Sequence, residues 1–374
     1  MLNPPSGNIV VTGATGFLGS HFVREWLRTE RGHVFALARA KEGRSAAVRI
    51  AAALEAAQEA SGTSDQPLPP TWTAIDGDVT RPLAGVQSES VEHLRAEGVG
   101  VFWHFASDLR YELHNHEATR RINVEGALHA LALAAEIGVQ RFVYISTAYV
   151  CGRKGGVIEE ALVPPLQEFS NGYEASKAEA ERSLFAECER LGLPLTILRP
   201  SIIIGPRSTH SAYGSETGLF NLIHAVMWIR SSQSGKQPHL RIPSCPAAEI
   251  NFIPVDCVVS NMLALAKSGF GSQPIYHLTS SVSVTVAQCW QVLSDVIGMH
   301  NVTLMPPDSL EPSPSERLIV RRLGFFLSYI AVDRRFQRTL TPAWTLNPVD
   351  FESYVRRAKE RVEDGALKMR GHAG

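Results

Sequence analysis

Three glycines spaced three apart, Gly13, Gly16 and Gly19, follow the apolar run Ile9-Val10-Val11 and open a segment whose apolar residues recur at helical spacing. That pattern leaves few folds open. A strand that turns so tightly into a helix needs residues without a Cβ: the first two glycines for the turn and a close backbone approach, the third for packing helix on sheet. The turn Gly13-Ala14-Thr15-Gly16-Phe17-Leu18-Gly19 then offers backbone N–H groups and a favourable helix-end partial charge to a pyrophosphate. The spacing is Gly-x-x-Gly-x-x-Gly rather than the commoner Gly-x-Gly-x-x-Gly. A bare tight turn is the competing reading, and the flanking strand and helix favour phosphate binding.

The rest of the chain supports a parallel sheet. Val34 to Ala38, Trp72 to Ile75, Val101 to Phe105, Phe142 to Ile145 and Leu195 to Leu198 read as short buried strands. Between them lie helical patterns: Phe17 to Leu27 with Phe22, Val23 and Trp26 inward, about Ser45 to Ala60, Glu117 to Glu136, and Glu174 to Leu191. Such alternation implies parallel strands joined by right-handed crossovers, with helices on both faces. The expected fold is α/β, a Rossmann-type doubly wound parallel sheet with a smaller C-terminal substrate-binding lobe. Residues 1–200 are assigned to the nucleotide domain and 201–374 mainly to the lobe. A return passage at about 250–280 includes Asn251 to Asp256, with Asp256 expected to cap the next helix.

Composition excludes several classes. With 374 residues, 44% of them hydrophobic, and a net charge of -1, the chain can bury a large core and has no overall attraction for nucleic acid. Its five cysteines are scattered, which reads as reduced thiols in the cytoplasm. The start lacks a secretory pattern, and the apolar stretch Leu323 to Val332 is too short for a membrane span and reads as packing. His114 and His116 lack a partner pattern for a metal.

Chemistry concentrates at a few positions. Ala38-Arg39-Ala40-Lys41 closes the second strand without the acid that would hold an adenosine 2′-hydroxyl. A guanidinium there suits a 2′-phosphate, so NADP(H) is favoured, with Arg39 leading and Lys41 and Arg49 assisting. Asp78, followed by Val79, is placed for the adenine amino group, against the alternative of a plain turn aspartate. Tyr173 and Lys177 stand four apart on one helix face, so the ammonium can favour the phenolate and make Tyr173 an acid or base. Thr147, at a strand end, can orient a carbonyl for hydride delivery.

The order of these features, Thr12 to Gly19, Ser146-Thr147, and Tyr173 to Lys177, resembles the extended short-chain dehydrogenase/reductase superfamily. Phe142 to Gly152, Asn171 to Glu181, Leu198 to Gly205 and Asn251 to Asp256 are similar to its thioester reductase and fatty acyl-CoA reductase branch, a likeness covering roughly residues 8 to 300. The resemblance implies a catalytic set of Thr147, Tyr173 and Lys177, with Asn123 structural and water-relaying; a local bend or helix cap is the plainer role for Asn123. It further implies cofactor contacts from the glycine turn with Thr15, Phe17 and Leu18, from Ala106 and Ser107, from Tyr173 and Lys177, and from Pro200, Ser201 and Ile202. In that comparison His104 is a packed histidine beneath the cofactor.

By the same resemblance NADPH reduces an acyl thioester, with a thiol expelled to give an aldehyde and a second hydride leading to an alcohol. The chain begins almost at its first strand, so free acyl-CoA or a discrete acyl carrier protein is the expected substrate form, and a homodimer through two long helices is a family-level expectation. Two readings compete. One is an NADP(H)-dependent ketone or hydroxyl oxidoreductase, steroid- or dihydroflavonol-type, or a nucleotide-sugar epimerase or dehydratase. The other is a catalytically silent NADP-binding sensor, against which the intact Thr147, Tyr173 and Lys177 argue. In the lobe, Phe220, Met227 and Trp228 suggest an acyl pocket or plain core, and Arg207 and Lys236 suggest either phosphate contacts or solvated charges.

Overall fold

The computed structural model describes residues 7–30, 32–109, 116–211, 218–232, 239–306, 313, 316–317, 323, 326–341 and 344–371. The N-terminal part alternates strand and helix: β1 (Ile9–Thr12), α1 (Phe17–Thr29), β2 (Val34–Ala38), α2 (Ala46–Ala60), β3 (Trp72–Asp76), α3 (Ser88–Ala96), β4 (Val101–His104), α4 (His116–Arg120), α5 (Gly126–Glu136) and β5 (Arg141–Ile145). There follow β6 (Gly156–Ile158), α6 (Gly172–Leu191), β7 (Leu195–Pro200), β8 (Ile202–Ile204), α7 (Leu219–Ser232), β9 (Leu240–Pro243), β10 (Glu249–Ile250), β11 (Phe252–Pro254) and α8 (Val255–Lys267). The chain closes with β12 (Ile275–Leu278), β13 (Val284–Thr285), α9 (Val286–Ile297), β14 (Val302–Met305), α10 (Phe326–Ile330), β15 (Arg334–Phe336) and α11 (Pro348–Gly371).

Seven strands form one sheet in the order β12-β7-β5-β4-β1-β2-β3, every pair parallel. Parallel strands need crossovers, and α1, α2, α5, α6 and α8 supply helices for both faces, so the strands read as continuous apolar runs rather than alternating ones. One apolar cluster packs Phe22, Trp26, Trp103 and Met262 against the sheet, and a second packs Phe102, Leu131, Phe142 and Leu184 against the other face. A third core, built from α7, α9, α10 and α11, gathers Ile223, Leu293, Phe326 and Phe351. Phe220 and Met227 pack on that third core, while Trp228 keeps 38% of its surface exposed.

Helix ends follow local chemistry. Ser45 caps α2 through the Val48 amide, Asn171 caps α6 through the Glu174 amide, and Thr285 and Gln288 form a reciprocal capping box on α9. Asp256 corrects the sequence reading. The α8 cap position falls on Pro254, and Asp256 sits in the first turn with its carboxylate taken by Arg207, which donates its backbone N–H at 3.1 Å and its Nε at 2.8 Å. Among the described residues no helix is long and apolar enough to cross a membrane.

The most constrained contact of the fold is charged. Arg199 on β7 and Glu181 on α6 are wholly buried and meet through two hydrogen bonds of 2.9 and 2.6 Å, and Arg199 also donates to the carbonyl of Ala161. Neither charge can reach water if the other is removed. Glu181→Gln should therefore cost about 3–5 kcal/mol in urea unfolding, against less than about 1 kcal/mol for Glu187→Gln, whose pair with Arg190 is exposed. Equal losses from the two substitutions would contradict this account.

Candidate active site

The sheet reverses its winding between β1 and β4, since strands are added outward from β1 through β2 and from β4 through β5. Loops leaving such a pair diverge and open a crevice at the carboxyl ends of the strands. Gly13 leaves β1 at φ 74°, so close to the β4 loop that a Cβ would lie 2.5 Å from the Ala106 amide nitrogen. A Cβ on Gly19 would fall 2.2 Å from the Gly13 carbonyl oxygen, and one on Gly16 3.3 Å from it. The α1 cap at Gly16 has no side-chain bond and no acid in the first turn, which leaves first-turn amide donors for an anion.

A cavity of about 230 Å³ occupies this crevice. Gly13, Gly16, Phe17, Leu18, Gly19 and Ser107 line one side, and Thr147, Tyr173, Lys177, Pro200, Ser201 and Ile202 line the other. Ser146, 3% exposed, also reaches it, and its hydroxyl has no hydrogen-bond partner. A glycine cradle that any Cβ would fill, free helix-end donors and an orphaned hydroxyl together fit a dinucleotide whose phosphates rest on the turn.

Each reactive side chain is held from a different element. Thr147 caps the short turn Ala148–Cys151 by accepting the Tyr149 amide at 3.3 Å, which leaves its hydroxyl proton available to donate. Tyr173 lies in the first turn of α6, one helical turn before Lys177. Lys177 is 1% exposed; its Nζ donates to the Ile145 carbonyl at 2.6 Å and lies 4.5 Å from the centre of the Tyr144 ring. Asn123 stands in a single π-helical turn, Arg121–Glu125, between α4 and α5. Its amide accepts from Ser107 and from the Asp108 N–H, and donates to the Asp108 carbonyl and to Ser176, stapling the β4 loop to α6. Ser176 in turn donates to the Tyr173 carbonyl at 2.9 Å. His104 is fully buried against Phe142 and Tyr144, and burial together with the nearby Lys177 charge pulls its pKa down to about 3, leaving it neutral.

Thr15, Ala106, Arg39, Arg49, Asp78, Val79 and Asn123 do not line the cavity. Arg39 and Arg49 do come together beyond it at the end of β2, where Arg49 donates to the Arg39 carbonyl. Asp78 faces Arg39 at 3.9 Å while accepting from both the amide and hydroxyl of Thr80, so it serves its own turn as well. Val79 packs on Gly126 at the start of α5. Lys41 pairs with Glu42 instead of joining Arg39. Arg207, bound to Asp256, lies 3.9 Å over the Trp344 ring, and Lys236 and His114 lie outside the described residues.

Among the wall residues to which sequence reasoning gave no role are Ser146, Tyr149 and Tyr329. Tyr149 had a usable signal, two positions beyond Thr147. Tyr329 had none, because only the tertiary fold brings the C-terminal segment to the site.

The model of the NAD_binding_4 family, described as male sterility protein, matches residues 11–288. A nonribosomal peptide synthetase, asaC, of Aspergillus flavus is 29% identical over 307 residues, covering 79% of this chain and 28% of that protein. The fatty acyl-CoA reductase wat of Drosophila melanogaster is 24% identical over 310 residues, covering 72% of this chain and 56% of its own. The chain thus spans only about a quarter to about half the length of these curated relatives. Among solved structures, the terminal R domain from the myxalamid PKS-NRPS biosynthetic pathway superposes with a TM-score of 0.74 at 23% identity, over 96% of this chain and 92% of that one.

Burial governs the charge of Lys177. It lowers the ammonium pKa from 10.5 to about 7, against an opposing pull from Glu181. Between those values the unfolded chain binds the proton that the folded chain releases, so folded stability rises with pH across about 7 to 10.5. In the cofactor-free protein, Lys177→Met should remove this rise, flattening the melting temperature against pH over that window. Parallel curves for the two proteins would show that Lys177 is not desolvated.

Proposed function

Because the chain belongs to the NAD_binding_4, male sterility protein, family of the extended short-chain dehydrogenase/reductases, we propose that it is an NADPH-dependent reductase of acyl thioesters. The observation that carries this reading is the convergence of Thr147, Tyr173 and Lys177 with the glycine turn on one cavity. The relatives named above, a peptide synthetase and a fatty acyl-CoA reductase, support the thioester as substrate class. An acyl-CoA or an acyl carrier protein would present it. Five free cysteines fit a reducing cytoplasm.

NADPH, when bound, supplies the hydride. The glycine turn and the first-turn amides of α1 would hold its phosphates, and Arg39 with Arg49 would meet the 2′-phosphate. Thr147 and Tyr173 donate hydrogen bonds to the thioester oxygen, which stabilises the negative charge developing there as the carbonyl carbon becomes tetrahedral. Tyr173 then gives its proton to that oxygen, and the Lys177 ammonium lowers the cost of the phenolate left behind. Asn123 acts through Ser176 and the Tyr173 carbonyl, fixing the turn on which Tyr173 stands. Collapse of the resulting hemithioacetal breaks the C–S bond, and the thiol leaves with a proton to give the aldehyde.

With acyl-CoA and carrier-bound thioesters, NADPH loss should match free-thiol release, and Tyr173→Phe should lower turnover by roughly a hundredfold or more. Turnover confined to ketones, without thiol release, would sink the proposal. The coenzyme preference has its own check. Arg39→Ala should weaken NADPH binding at least about tenfold in a fluorescence titration and leave NADH binding unchanged.

A further inference from the structure

One wall of the cavity comes from the far end of the chain. α10 carries Tyr329 into it, 5% exposed, where the ring meets that of Tyr149 at a centroid distance of 4.1 Å and a tilt of 32°. The Tyr329 hydroxyl donates to the carboxylate of Glu174, the residue next to Tyr173. That carboxylate, 1% exposed, also accepts the Ser170 amide at 3.0 Å and the Asn171 side chain at 2.9 Å. β15 pins the segment by pairing in parallel with β6, and Arg334 donates to the Gly152 carbonyl at 2.8 Å.

The Tyr329 hydroxyl on this wall is turned to Glu174. The two rings stand with Ile202 and Ile203 on the cavity lining, an apolar surface suited to a hydrocarbon chain. A door of mobile loop would adapt to its guest, but a ring packed at a tilt on Tyr149 and hydrogen-bonded to the buried carboxylate of Glu174 has a fixed position.

We propose that Tyr329 is a specificity-determining residue: with Tyr149 it forms an aromatic wall that limits the length and branching of the acyl chain the cavity accepts. This inference rests on the thioester reading above. Removing the ring opens space toward the third core, where Phe326 and Ile330 of the same segment are buried. Longer chains should gain relative to short ones.

The test compares kcat/KM for butyryl, octanoyl and dodecanoyl thioesters, offered on CoA and on a carrier protein, in the wild type, Tyr329→Ala and Tyr329→Leu. In Tyr329→Ala the ratio of dodecanoyl to butyryl kcat/KM should rise about tenfold or more, with a smaller rise in Tyr329→Leu. Tyr329→Leu keeps apolar bulk in α10 and carries the test if the alanine variant fails to fold, as judged by melting temperature and NADPH binding. Folded variants with the wild-type chain-length profile would overturn the wall assignment and leave thioester reduction standing. A wild type that reduces ketones and no thioester would instead remove the reading itself, and the inference with it.

Discussion

Everything reactive in this molecule hangs on the buried pair of Arg199 and Glu181. Desolvating two such charges costs several kcal/mol each, and the pair recovers that only through its two direct hydrogen bonds and the further bond to the Ala161 carbonyl. The same helix also buries Ser176, bonded to Asn123, and Lys177, bonded to the Ile145 carbonyl, so polar side chains stand where an apolar stripe would be ordinary. A helix packed by apolar contacts alone can slide or rotate at modest cost. One whose polar groups are matched to fixed buried partners cannot, because any shift leaves a charge or hydroxyl unpaired in a dry interior. The pair fixes α6 against β7, and thereby places Tyr173 and Lys177 over the ends of β5 and β7.

How far the sequence could be read follows from how local each feature is. The glycine turn declared itself because strand, turn and helix are contiguous and its purpose, the close approach to Ala106, is written in the missing side chains. Tyr173 and Lys177 were legible for the same reason, being one helical turn apart. Arg207 and Asp256 were not: Asp256 reads as a helix cap and Arg207 as a phosphate contact or a solvated charge, whereas the two form one ion pair across 49 residues of chain. Pro254 decided the matter by taking the cap position itself. Asn123, structural and water-relaying by resemblance and a local bend or cap in the plainer reading, has a side chain that joins two distant segments, Asp108 and Ser176, from a π turn that no residue pattern advertises. Tyr329 and the Ile145 carbonyl lay beyond reach, since one depends on the path of the C-terminal segment and the other is backbone.

The electrostatics of the site then follow from what Glu181 is unable to do. It lies one turn beyond Lys177 and favours its charge, but both of its oxygens are occupied by Arg199. Lys177 is left with a carbonyl and the face of Tyr144, partners that hold an ammonium weakly compared with a carboxylate. His104, buried and neutral beneath it, adds no second positive charge. Had Glu181 been free to bind Lys177 directly, the lysine would stay protonated far above neutrality and its proton would be out of reach. Because Arg199 takes that carboxylate, burial prevails and the ammonium titrates near 7, the range in which a group beside Tyr173 can both support the phenolate and exchange a proton. The ion pair that locks the helix in place is thus also what leaves Lys177 able to respond.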